Sequence, residues 1–175
     1  MLNDNTNANL PLTEENSEKK EKTNCWLDNV EEMGKWYQKN IHTYQGGTSG
    51  KATHSRKMYD CPLVDKKVGD DCSGFVCACL WKHGVDVPLS GSYSFVGPEK
   101  AFEKKLNDAG FKKMKYDANK LIPGDIMAKN GHVEIYFAPK KSYAWGNIHD
   151  GLNGHTGMPC WMAKLPYTTI WRKTI

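Results

Sequence analysis

No stretch of this chain comes near the roughly 18 consecutive apolar residues that a membrane-crossing helix needs, so a helical span is not expected. A second cysteine pair at zinc spacing is also missing. Cys77 and Cys79 stand two apart among apolar neighbours, which reads as small core residues rather than metal ligands, and neither a metal nor another cofactor is expected. No stripe of interleaved aromatic and basic residues and no nucleic-acid motif is present, so nucleic acid is not an expected partner. Met1 to Asn24 has neither the basic start nor the apolar middle of a secretory signal, and the expectation is a chain made in the cytoplasm without an export signal. That stretch is rich in Asn, Glu, Lys and Thr and buries too little surface to offset its ordering entropy. Residues 1–24 therefore read as a disordered tail. Without an export signal, the six cysteines (Cys25, Cys61, Cys72, Cys77, Cys79 and Cys160) are expected as thiols rather than disulfides. There is no internal repeat.

What is present fits one folded domain over residues 25–175. The chain's 175 residues are too few for two ordinary domains, and 39% hydrophobic with 25% charged residues matches a globular chain. The formal charge of +4, spread over lysines such as Lys104, Lys105, Lys112, Lys113 and Lys115, reads first as ordinary solvation and second as a surface suited to anionic polymers.

Apolar residues recur at helical spacing from Trp26 to Lys39, through Trp26, Leu27, Val30, Met33, Trp36 and Tyr37. The stretch from Gly46 to Gly69 lacks periodicity and reads as a long loop. Asp71 to His83 reads as a second helix that Gly84 terminates, and Pro98 to Ala109 as a third that stops at Gly110. Strand-like runs follow at Phe111 to Tyr116, Asp125 to Ala128, His132 to Ala138, Ser142 to Ile148 and Tyr167 to Arg172. Helices followed by a meander of short-turned strands predict an α+β fold, an antiparallel sheet with the N-terminal helices packed on one side.

The segment Asp71-Cys72-Ser73-Gly74-Phe75 places a thiol where a turn meets a helix N-terminus. Unpaired backbone N–H groups and the helix dipole favour an anion there, and so a thiolate nucleophile. The same N–H groups suit an oxyanion, and Gly74 lets another chain approach closely. A thiolate works best with an imidazole that pairs with it and then protonates a leaving amine. His132, after Gly131 at the start of a strand, is the best placed of the six histidines.

Three blocks resemble, in order, those of the NlpC-type family of papain-like cysteine peptidases, the bacterial cell-wall endopeptidases. They are Ile41-His42-Thr43-Tyr44-Gln45-Gly46-Gly47, then Asp71-Cys72-Ser73-Gly74-Phe75-Val76, and last Leu121-Ile122-Pro123-Gly124-Asp125-Ile126 leading to Gly131-His132-Val133-Glu134-Ile135-Tyr136. The resemblance implies a papain-like fold with Cys72 as nucleophile and His132 as base, and Tyr44 lining the substrate site. Asp71 and Ser73, which flank the nucleophile, are expected at the substrate too. Members of the family carry a third polar residue about a dozen positions beyond the base, on the next strand. No residue falls cleanly there, and Asn147 is the candidate, ahead of His149.

The implied reaction is hydrolysis of peptidoglycan stem peptides at the bond between D-glutamate and a diamino acid. The loops 48–70 and 151–159 are expected to border the cleft. Action at the bacterial wall without an export signal implies delivery by a phage tail, lysis machinery or a secretion apparatus, in the last case with an immunity protein. A monomer is expected. Two rivals share the fold: an amidase, deamidase or acyltransferase, in which the thioester meets a different acceptor, and a non-catalytic wall-binding or virion structural module.

Overall fold

A computed structural model describes the backbone of residues 14–40, 43–44, 69–97, 99–145 and 159–174, and most of their side chains from residue 26 on. The first helix, α1 (Glu14–Asn40), begins well before the expected Trp26. Its opening Glu and Lys residues are good helix formers, so propensity carries the helix N-terminal to the point where apolar periodicity starts. That periodicity is then used for packing. Trp26, Val30, Met33 and Tyr37 are buried, and Tyr37 meets Phe75 edge-on at 5.0 Å and Trp145 at 5.3 Å.

Two short strands, β1 (Thr43–Tyr44) and β2 (Gly69–Asp70), pair in parallel, with Tyr44 opposite Asp70. They lead into α2 (Cys72–Lys82), in which every residue from Cys72 to Leu80 is buried. A helix apolar on all sides belongs in the middle of a fold, and α2 packs against both α1 and the sheet. Its end matches the sequence reading: His83 closes the helix and Gly84 takes φ +83, a conformation glycine adopts without steric cost. A short helix, α3 (Tyr93–Val96), was not foreseen; α4 (Lys100–Asp108) follows.

The sheet consists of β3 (Phe111–Lys115), β4 (Ile126–Lys129), β5 (His132–Ala138), β6 (Lys141–Tyr143), β7 (Pro159–Trp161) and β8 (Thr169–Lys173). Every pairing is antiparallel, so the fold class is α+β as expected. Its order, β3-β8-β4-β5-β6-β7, is not a meander. The C-terminal strand inserts between β3 and β4, and it suits an interior place because both its faces are apolar: Trp171 faces the helices and Ile170 the other side.

Alternation along the strands divides the core in two. Ile126, Ala128, Val133, Ile135 and Trp171 pack under the helices, whereas Met127, Tyr136, Ile170 and Tyr167 form a smaller cluster on the opposite face. The turn that leads into β4 is pinned by Trp26, whose Nε1–H donates to the Gly124 carbonyl at 2.9 Å. Buried Asp125 accepts from Arg172 Nε at 2.8 Å and Nη2 at 2.7 Å, which ties β8 to the approach to β4. Among the described residues no helix is long and apolar enough to cross a membrane.

Candidate active site

The nucleophile turn is built by its cap. Asp71 has extended backbone, and its Oδ1 accepts from Gly74 N at 2.9 Å and from Ser73 Oγ at 2.7 Å. A side chain that satisfies a first-turn N–H fixes where the helix begins, and so fixes Cys72 as its first residue. The N–H groups of Cys72 and Ser73 are in the part of a helix that has no intrahelical acceptor. Asp71 and Ser73, expected at the substrate, are both buried.

Because α2 packs against β5, the head of the helix meets the start of the strand. There the Cys72 thiol and the His132 imidazole, the pair read from the sequence, stand close enough for the sulfur to act on the ring's proton affinity. Burial alone would pull the imidazole below its ordinary 6.5. The neighbouring Cys72 and Glu134, which favour the charged ring, outweigh burial and raise it to about 9. The ring therefore holds its proton at neutral pH.

Glu134, two positions along β5 and on the same side of the strand as His132, was given no role by the sequence reading. It is fully buried. Its Oε2 lies 3.5 Å from His132 Nε2, at the long limit of a hydrogen bond and within ion-pair reach, and accepts from Ser142 Oγ at 2.9 Å. Its Oε1 accepts from the Tyr167 hydroxyl. Burial and the charge of Glu134 push that hydroxyl well above the ordinary tyrosine range, so Tyr167 remains a donor. The Tyr167 ring sits 6.4 Å from the imidazole, centroid to centroid, and 5.4 Å from Tyr116. Thiol, imidazole, carboxylate and two hydroxyls thus gather where the head of α2 meets the start of β5. One signal in the sequence pointed there: a carboxylate at the i+2 position of an otherwise apolar strand beginning with a histidine.

Of the other expected site residues, Tyr44 has its backbone beside Asp70, just ahead of the nucleophile, while its side chain lies outside the described residues. Asn147, His149 and the two bordering loops, 48–70 up to residue 68 and 151–159 up to residue 158, lie outside them as well. A dozen places beyond His132 stand Ala144 and Trp145, both buried. Among the described cysteines, Cys72, Cys77, Cys79 and Cys160 carry no disulfide. Burial pushes the Cys79 thiol well up, which marks it as inert core. Among the described residues no group of three or more His, Cys, Asp or Glu side chains is arranged to hold a metal ion.

No protein-family profile matches this chain, and no curated protein does. Among solved structures it is similar to a Staphylococcus aureus protein described as similar to lipoprotein, NLP/P60 family, at 15% identity and a TM-score of 0.37. The match covers 79% of this chain and 42% of the other, so the chain spans less than half the length of that protein.

Proposed function

We propose that the chain is a cysteine peptidase that cleaves peptidoglycan stem peptides, acting through Cys72 and His132. The observation that carries this reading is the placement of Cys72 at the capped head of α2, which packs on the strand that His132 begins, with the imidazole raised to about 9 by Cys72 and Glu134 against burial. The three ordered sequence blocks supply the substrate class, and the net charge of +4 is compatible with an anionic wall.

In the first half of the reaction the Cys72 sulfur attacks the scissile carbonyl carbon. The C–S bond forms as the carbonyl π electrons move to oxygen. The N–H groups of Cys72 and Ser73 at the head of α2 face the resulting oxyanion. Collapse breaks the C–N bond, and the His132 imidazolium gives its proton to the departing amine. A thioester remains. Neutral His132 then takes a proton from water, which attacks the thioester, releasing the acid and restoring the thiolate–imidazolium pair. Asp71 serves this cycle from beneath by holding the turn that presents Cys72. Tyr44, whose strand runs beside that turn, borders the substrate.

Defined muropeptides incubated with the protein and analysed by mass spectrometry test the reading. New amines and shortened peptides are expected from the wild type and none from Cys72→Ala. Equal products from both would refute hydrolysis by Cys72. Acyl transfer in place of hydrolysis would appear as products joined to an added amine.

A further inference from the structure

We propose that Glu134 is the positioning residue of the Cys72–His132 pair, taking from within the base's own strand the part that the sequence reading sought in Asn147 or His149. The inference rests on the reading of Cys72 and His132 as nucleophile and base, and adds a third member from an unexpected place.

Several observations carry it. A β-strand sends residues i and i+2 to the same face, so Glu134 and His132 are held side by side by backbone geometry alone. The carboxylate is fully buried, and Oε2 stands 3.5 Å from His132 Nε2. Its direction is locked from two sides, by Ser142 on β6 and by Tyr167 from the segment that precedes β8. Burying a carboxylate costs several kcal/mol unless its oxygens find donors and a cation, and a protonated His132 is the cation within reach. At the position a dozen residues beyond the base, Ala144 and Trp145 offer no acceptor side chain.

The groups around the imidazole decide what its titration reports. Cys72 faces it from α2, with Asp71 just behind in the cap. Glu134 and, further on, Tyr136 share its face of β5, and Lys129 stands opposite it on β4 with its ammonium turned to the Asn130 carbonyl at 2.6 Å. Tyr167 closes the remaining side, backed by Tyr116. Of these, Cys72 and Glu134 favour the ring's charged form, Glu134 from 3.5 Å as an ion-pair partner.

The test follows the His132 ring by NMR and needs no substrate, so a failure of the peptidoglycan reading would leave it intact. In the wild type the ring is expected to titrate near pH 9. In Glu134→Gln, which keeps the shape and the acceptor but not the charge, the midpoint is expected to fall by on the order of one pH unit. Alkylation of Cys72 by iodoacetamide, read against pH, should move its alkaline breakpoint by the same amount. Asn147→Ala should leave both in place. A Glu134→Gln ring that still titrates near 9 would overturn the proposal, as would a shift produced by Asn147→Ala alone. Should Glu134→Gln fail to fold, the wild type decides: a His132 Nε2 proton shielded from solvent exchange and shifted downfield supports the ion pair, and a freely exchanging one overturns it.

Discussion

Raising the pH through 9 should both weaken the fold and switch off the chemistry, and the size of the first effect follows from the site. His132 is raised from 6.5 to about 9, a difference of 2.5. At about 1.36 kcal/mol per pH unit, the folded state gains on the order of 3 kcal/mol from holding this proton. The folded group binds its proton more tightly than the unfolded one, so this stability is fully present below 6.5. It declines between 6.5 and 9 and is gone above 9. Burial acts in the opposite direction, so the whole gain comes from Cys72 and Glu134 as acceptors. Urea denaturation of the wild type from pH 6 to 10, set against His132→Ala to cancel other titrating groups, should reveal a loss of about 3 kcal/mol peculiar to the wild type. The alkaline limb of kcat/KM should fall near pH 9, because a neutral imidazole has no proton for the leaving amine. A His132 ring that titrates at or below 6.5, with stability flat across that range, would refute the argument: burial would then have won over its partners.

Three further predictions concern the scaffold and the thiols. Arg172→Ala leaves buried Asp125 with the Ile122 N–H at 3.0 Å and no cation, and should lower stability by about 3 kcal/mol in chemical denaturation, with Arg172→Lys recovering only part because an ammonium cannot make the two-pronged contact. Gly124→Ala puts a Cβ 2.9 Å from the Trp26 ring at a backbone φ of +95, and thermal melts should report a loss of about 2 kcal/mol or more. At mildly acidic pH a thiol-directed probe should modify Cys72 and leave Cys79 untouched, whereas a module that no longer turns over predicts no modification of Cys72.

The parts of this structure that were legible in the sequence are those in which neighbours along the chain settle the outcome. Asp71 caps a helix because its own carboxylate reaches Gly74, three residues on, and that alone puts Cys72 at the head of α2. Gly84 ends the same helix, and alternation from His132 to Ala138 makes β5. The start of α1 lies ahead of the expected one for a related reason: apolar spacing marks where a helix is packed, and the Glu and Lys residues before Trp26 favour helix by propensity without that spacing. Sheet order was not legible, because alternation says which face a residue takes and nothing about which strand lies next to it. Inserting β8 between β3 and β4 brings Tyr167, 33 residues from Glu134, to within hydrogen-bonding reach of its carboxylate, and pairing β6 with β5 brings Ser142. The family resemblance implies a third polar residue on the next strand. The chain's own i+2 periodicity already put a carboxylate beside the base, and what the sequence withheld was the pair of distant hydroxyls that make a buried charge at that position affordable.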